Sequence, residues 1–147
     1  MKVSSMIVLI VFLAGCASTS NLKPPIFDQT KSINNYKFVA IPYAQEITSR
    51  SKQLSPDEVI EGMLLKKGIV RINEIPEKIK NKTLISKFAI SGTRTVNFGM
   101  GYTMEVTIIL MDSRTLDFIY SCTAEGIGAT EVDDIRAAIT NCMSGLK

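Results

Sequence analysis

Between Met104 and Met111 the chain carries its most strand-like run, β-branched and almost wholly apolar. Such a run belongs inside a sheet, so it fixes the kind of core the rest of the chain must complete. Other extended segments supply the neighbours. Tyr36 to Ile41 alternates, with Tyr36, Phe38 and Ala40 on one side, and ends at Pro42. Ile69 to Ile75 resumes strand character before Pro76. Thr83 to Phe98 is a long extended segment with Leu84, Ser86, Phe88 and Ile90 facing one way and Gly92 free to bulge. Phe118 to Ala124 closes the set.

Two helices are written between and after these strands. Ser55-Pro56-Asp57-Glu58 supplies an N-cap serine, proline at the first helical position and a capping-box glutamate. Val59, Ile60, Met63 and Leu64 then share one face, Lys66 and Lys67 suit the negative end of the dipole, and Gly68 can close the helix in the left-handed conformation. Thr130 caps the second helix, with Glu131, Asp133 and Asp134 in its first turn and an apolar stripe of Val132, Ile135, Ile139, Cys142, Met143 and Leu146. The order of these elements predicts an α+β domain: a largely antiparallel sheet of about five strands with both helices on one face. Ala44 to Leu54 reads as a polar loop.

The amino-terminal region has a different character. Lys2 precedes an apolar run from Met6 to Leu13, too short to span a bilayer core of about 30 Å, followed by two small residues and Cys16. That is the shape of a removed secretory leader. Leu13-Ala14-Gly15-Cys16 resembles the lipobox of bacterial lipoproteins. The resemblance implies cleavage before Cys16, acylation of its sulfur and new amino end, and, because Ala17 rather than aspartate follows, sorting to the outer membrane on its periplasmic side. Residues 1–15 are then a signal peptide, residues 16–35 a lipidated cysteine and tether rich in Ser, Thr and Asn around Pro24-Pro25, and residues 36–147 a single globular domain. The remaining 132 residues or so suffice for one core without a metal.

In an oxidising compartment Cys122 and Cys142 are expected to pair. If the last helix lies antiparallel on the preceding strand, eleven helical residues from Glu131 to Cys142 rise about 16 Å. Five strand residues from Ile127 back to Cys122 cover a similar distance of about 16 Å, so the sulfurs come level. No Cys-x-x-Cys motif is present to suggest thiol chemistry.

With 17 Lys and Arg against 14 Asp and Glu the net charge is +3, too low for a nucleic-acid binder that needs a dense cationic field. The chain has no histidine, so the commonest general base and zinc ligand are missing. No metal or cofactor is expected. The catalytic candidates left are carboxylates: Asp112 and Asp117 around one turn, and Glu125, Glu131, Asp133 and Asp134 around another. Turn and helix-start preferences explain them more simply. Lys78, Lys80 and Lys82 read either as a contact for anionic headgroups or glycan phosphates or as a solvated connection. Phe98, Met100 and Tyr102, spaced by Gly99 and Gly101, form either a partner-contact loop or a hairpin turn with its aromatics folded back.

The functional expectation is therefore a non-enzymatic, lipid-anchored outer-membrane lipoprotein whose domain binds another envelope component, protein or glycan, as an assembly or accessory factor. The alternatives are a carrier of a small apolar ligand, using the sheet face opposite the helices, and a carboxylate-based hydrolase of cell-wall glycan.

Overall fold

A computed structural model describes residues 23, 25–27, 31–49, 52–95 and 101–146. The apolar run at Met104 is the body of the central strand β7 (Gly101–Asp112), which pairs antiparallel with β6 (Thr83–Thr95) and β8 (Phe118–Gly126). Period-two alternation sends Val106, Ile108 and Leu110 to one face, level with Ser86, Phe88 and Ile90 of β6 and with Tyr120, Cys122 and Ala124 of β8. A bulge between Leu110 and Met111 keeps Tyr120 on the inner face while burying Ile119.

The first helix, α1 (Pro56–Leu65), starts at Ser55 with proline at its first position, and the second, α2 (Glu131–Ser144), starts at Thr130. Thr130 Oγ1 accepts from the Asp133 backbone N–H at 3.2 Å, while Ser55 makes no side-chain cap bond. Gly68 closes the turn after α1 at φ 76°, as its position after the apolar face implies. Ile60 and Leu64 of α1 and Val132, Ile135, Ala138 and Ile139 of α2 are fully buried and share one core with the inner sheet face. The chain therefore combines one main sheet with two helices packed on it.

The sheet is largely antiparallel, as expected, and two of its five strand pairings are parallel. The strand β2 (Phe38–Ala40) pairs in parallel with both β6 and the short β5 (Val70–Arg71). With β1 (Ile26–Phe27) antiparallel on β8, the order is β1-β8-β7-β6-β2-β5. Parallel neighbours need crossovers rather than hairpins. One is supplied by α1, and the other by residues 72–82, which include a 3-10 helix at Glu77–Lys82.

Two expected loops carry structure. Within 44–54, β3 (Ile47–Ser49) and β4 (Lys52–Leu54) form a small antiparallel hairpin held to the body by buried Leu54 and by partly buried Ile47. Within 16–35, β1 lies on the sheet edge and a 3-10 helix at Ile33–Asn35 buries Ile33. Part of the segment read as a tether is thus docked: Ile26 and Phe27 pair through their backbone with the edge of β8 while the Ile26 side chain stays exposed, and Ile33 is buried.

Candidate functional site

The chain leaves β2 on one side, through α1 to β5, and returns on the other side to β6. In open sheets this reversal leaves a crevice beyond the carboxyl end of the strand where the order switches. Here that position is held by Ile41, Pro42 and Tyr43. Tyr43 is 77% exposed, yet it is held in place. Its ring lies 4.5 Å from the Arg71 guanidinium carbon, and its hydroxyl donates to Asn73 Oδ1 at 3.3 Å.

Arg71 is itself fixed from three directions. Asp57 and Glu61, four residues apart on one face of α1, approach Nη1 at 2.9 Å and 3.0 Å. Its Nη2 donates to the Ile41 carbonyl at 3.1 Å. Burial acts to lower the pKa of the guanidinium, but the bonds and charges of Glu61 and Asp57 outweigh it and hold the group above its ordinary value. Asp57 is only 3% exposed, so this cation is what makes its burial tolerable.

A recess opens on each side of this aromatic. One, of about 420 Å³, lies between Pro42, Tyr43 and the partly buried Ile47, Phe88 and Ile90. The other, of about 380 Å³, includes Ala40, Ile72, Ile75, Ile85 and Lys87, and so extends onto the sheet face opposite the helices. The surroundings can grip apolar groups on either side of a fixed phenol, with Lys87 and Asn73 as the polar contacts of the second recess.

Of the residues singled out from sequence, Cys16, Phe98 and Met100 lie outside the described residues. The Tyr102 backbone belongs to β7 and pairs with Arg94. Cys122 and Cys142 come together at disulfide distance, Cα to Cα 5.7 Å, between β8 and α2. Beside them the buried Tyr120 hydroxyl donates to the Cys142 carbonyl, and desolvation pushes its pKa up to about 12.

The carboxylates form two local groups, Asp112 with Asp117 around Lys31, and Asp134 beside Asp133 and Glu131. Asp112 is buried, and although desolvation opposes its charge, the N–H groups of Thr115 and Arg114, the Tyr36 hydroxyl and the Lys31 charge hold its carboxyl below the ordinary value. Asp117 is held low by Lys31 at 2.6 Å and by the Thr115 hydroxyl. Asp133 is lowered by Lys52 and Thr130. Asp134 is raised, first by burial and then by the charges of Asp133 and Glu131, against a hydrogen bond from the Gly128 N–H. No cluster of three His, Cys, Asp or Glu suited to a metal occurs among the described residues, and none of their helices is long and apolar enough to cross a membrane.

Sequence reading missed Tyr43 and Arg71. The available signal was the strand–Pro42–Tyr43 break ahead of a helix carrying Asp57 and Glu61 at helical spacing.

The sequence matches no protein-family profile and no curated protein. Among solved structures, the chain is similar to the PelC dodecamer of Paraburkholderia phytofirmans, at 14% identity and TM-score 0.57 over 87% of this chain and 97% of that one. A point variant of the same PelC gives 11% identity and TM-score 0.56 over the same shares. A PDZ-domain protein of Parabacteroides distasonis aligns at 12% identity and TM-score 0.48 over 84% of this chain and 36% of that one. At these identities the likeness to PelC is one of fold alone.

Proposed function

We propose that this chain is a non-enzymatic, lipid-anchored lipoprotein of the outer membrane, facing the periplasm, whose folded part binds another envelope component at the crevice around Tyr43. The observation that carries the binding reading is the arrangement of Tyr43 itself: an aromatic three-quarters exposed, stacked on Arg71 and flanked by two apolar-walled recesses. A large side chain fixed before binding loses little conformational freedom when a partner covers it, which is the usual property of an interface anchor. The engagement of Asp112, Asp117 and Asp133 in turns, caps and ion pairs supports a binding rather than a hydrolytic role. The anchor rests on the Leu13-Ala14-Gly15-Cys16 lipobox.

A second reading, carriage of a small apolar ligand, draws on the recess near Ile72, Ile75 and Ile85, whose size falls within the range of small-molecule sites. One experiment separates the two. A photo-crosslinking residue placed at Ala44 in cells should trap a discrete macromolecular adduct that Tyr43→Ala abolishes while the melting temperature is kept. Persistence of the adduct in Tyr43→Ala would remove the crevice from consideration, and a small lipophilic molecule recovered in place of an adduct would favour the carrier. Palmitate labelling, expected in the native chain and lost in Cys16→Ser, tests the anchor separately.

A further inference from the structure

The modest net charge conceals a gathering of cations, unpaired among the described residues, at one end of the sheet. Lys37, Lys66, Lys67, Lys78, Lys82 and Arg114 come from four separate stretches, and backbone bonds gather them at one end. The Lys37 N–H donates to the Lys82 carbonyl at 2.9 Å, and the Val70 N–H, three residues beyond Lys67, donates to the Lys37 carbonyl at 2.9 Å. Ser113, next to Arg114, donates through its hydroxyl to the Lys80 carbonyl at 2.8 Å and through its N–H to the Thr83 carbonyl at 3.0 Å. All six cations are exposed, and none forms an ion pair among the described residues. The exposed acids nearby, Glu77 and Asp117, are each engaged by another lysine, Lys80 and Lys31.

At the opposite end, Glu105 and Glu125 face each other across β7 and β8, and α2 begins with Glu131 and Asp133 beside the buried Asp134, with Glu105 paired to Lys23 and Asp133 to Lys52. The seven residue steps of β7 from Glu105 to Asp112 that separate the two ends span about 23 Å. That is nearly three times the Debye length of about 8 Å at physiological salt, so the acidic end does not neutralise the basic one.

We propose that this basic end is a binding surface for an acidic glycan, a polymer bearing repeated carboxylate or phosphate groups. Cations spread over four stretches suit a ligand that repeats its charge along a chain better than a single small anion. The course of the amino-terminal segment decides between a glycan and the protein's own membrane. β1 runs antiparallel to β8, and Lys23 continues it toward the acidic end, donating through its N–H to the Thr123 carbonyl at 3.1 Å and pairing with Glu105 at 2.9 Å. On the anchor reading the chain upstream of Lys23 leaves the sheet at the acidic end, which favours the basic end facing away from the membrane. This choice of glycan rests on the anchor reading; the existence of the anion surface does not.

The test measures binding of the full-length chain in detergent to polygalacturonate and, separately, to phosphatidylglycerol vesicles at matched anion concentration. The native chain should bind polygalacturonate in preference to vesicles. Affinity should fall at least about tenfold between 50 and 200 mM salt, as counterion release at several contacts requires. Lys67→Glu with Lys82→Glu should weaken binding at least tenfold, whereas Lys23→Glu with Arg136→Glu, which alters the net charge equally, should change it less than twofold. Equal losses in the two double variants would reduce the effect to net charge and overturn the surface. Absence of polygalacturonate binding by the native chain would overturn it too. Preference for vesicles would overturn the glycan assignment, and palmitate labelling at Cys16 shows independently whether the anchor reading has failed.

Discussion

The hydroxyl of Tyr36 donates to Oδ2 of Asp112 at 2.8 Å, tying the start of β2 to the end of β7 across 76 positions of chain. Tyr36 is 5% exposed and Asp112 9%, so the bond is made in a dry setting. The other carboxylate oxygen accepts from the N–H groups of Arg114 and Thr115 at 2.8 Å and 3.0 Å and shapes the turn into β8. One carboxylate therefore organises both the β7–β8 turn and the first strand of the parallel pairing.

Tyr36→Phe keeps the ring and removes only the donor. Hydrogen bonds to charged groups contribute about 1.5 to 3 kcal/mol, and a loss of that size is expected in denaturant unfolding at pH 7. The folded pKa of Asp112 lies below its ordinary value, so its contribution is present above that value and lost as pH falls through the lowered one. The gap between variant and native chain should close on acidification. A gap that stayed constant down to pH 2 would show that the bond does not act on the ionised carboxylate.

Gly126 ends β8 where α2 packs against it. A Cβ there would meet the Asp134 carbonyl oxygen at 1.7 Å and the Ala138 nitrogen at 2.8 Å. Both are backbone atoms of α2, so relief requires the helix to move off the sheet. Gly126→Ala should cost more than about 3 kcal/mol, the scale of severe overpacking. Gly62, inside α1 and facing solvent, has nothing within 4 Å of the same added atom. Gly62→Ala should stabilise by about 0.5 to 1 kcal/mol through helix propensity and a less flexible unfolded chain. Thermal melts of the two variants should therefore move in opposite directions.

The contrast between these glycines marks what is legible in a single sequence. Strong local patterns transfer to structure: the apolar body of β7, the Thr130 cap, the Gly68 closure and the level meeting of Cys122 with Cys142 all follow from period, cap chemistry and rise per residue. Gly126 carries no such signal, because its need for a missing Cβ comes from a helix that folds back on it. The parallel pairing was illegible for a related reason. Both strands, β2 and β5, are legible, within Tyr36 to Ile41 and Ile69 to Ile75, but β2 pairs with β6 over only three residues and with β5 over two, and that pairing is set by crossovers rather than by a turn. The β3–β4 hairpin escaped because Ile47 and Leu54 are its only large apolar side chains. Tyr43 and Arg71 escaped with it, since their relation exists only after β2 and β5 are placed side by side.

Asp134 behaves oppositely to Asp112. It is 3% exposed, its Oδ1 has no partner among the described residues, and burial, with Asp133 and Glu131 nearby, raises its pKa. A carboxyl whose folded pKa is raised favours the fold while protonated and loses that advantage as pH rises from its ordinary value through the raised one. Asp134→Asn, which retains an acceptor for the Gly128 N–H, should therefore be more stable than the native chain at pH 7. The difference should shrink as pH falls toward 4. Lower stability of the variant at both pH values would show that the ionised form is in fact well solvated.

The Cys122–Cys142 pair closes a sequence separation of 20 between the last strand and the last helix. On the chain-entropy account a crosslink of that length contributes about 3 kcal/mol, almost all of it through the unfolded state. Reduction, or replacement of both residues by Ala, should lower the melting temperature by several degrees while leaving the far-ultraviolet dichroism of the folded chain unchanged. Thiol titration of the unreduced, denatured protein should find no free sulfur at either position; two free thiols would exclude the bridge.

Arg71 and Asp57 give the sharpest test of the crevice, because the pair couples its stability to its shape. Arg71→Met removes the cation and leaves Asp57 buried at 3% exposure without it. Breaking a buried pair from one side costs about 3 to 5 kcal/mol, mostly the penalty of the stranded charge. Arg71→Met with Asp57→Asn should recover a large part of that loss, since the charge is then gone from both sides. The double variant also lacks the guanidinium under the Tyr43 ring, so the phenol regains the freedom that Arg71 denied it. Partner crosslinking at the crevice should consequently stay weak in the double variant even where its melting temperature approaches that of the native chain. Arg71→Lys, which keeps a charge but not the planar fork, should fall between the two in stability. If crosslinking instead returned together with stability, Arg71 would matter to the fold alone, and the fixed position of Tyr43 would not be what a partner recognises.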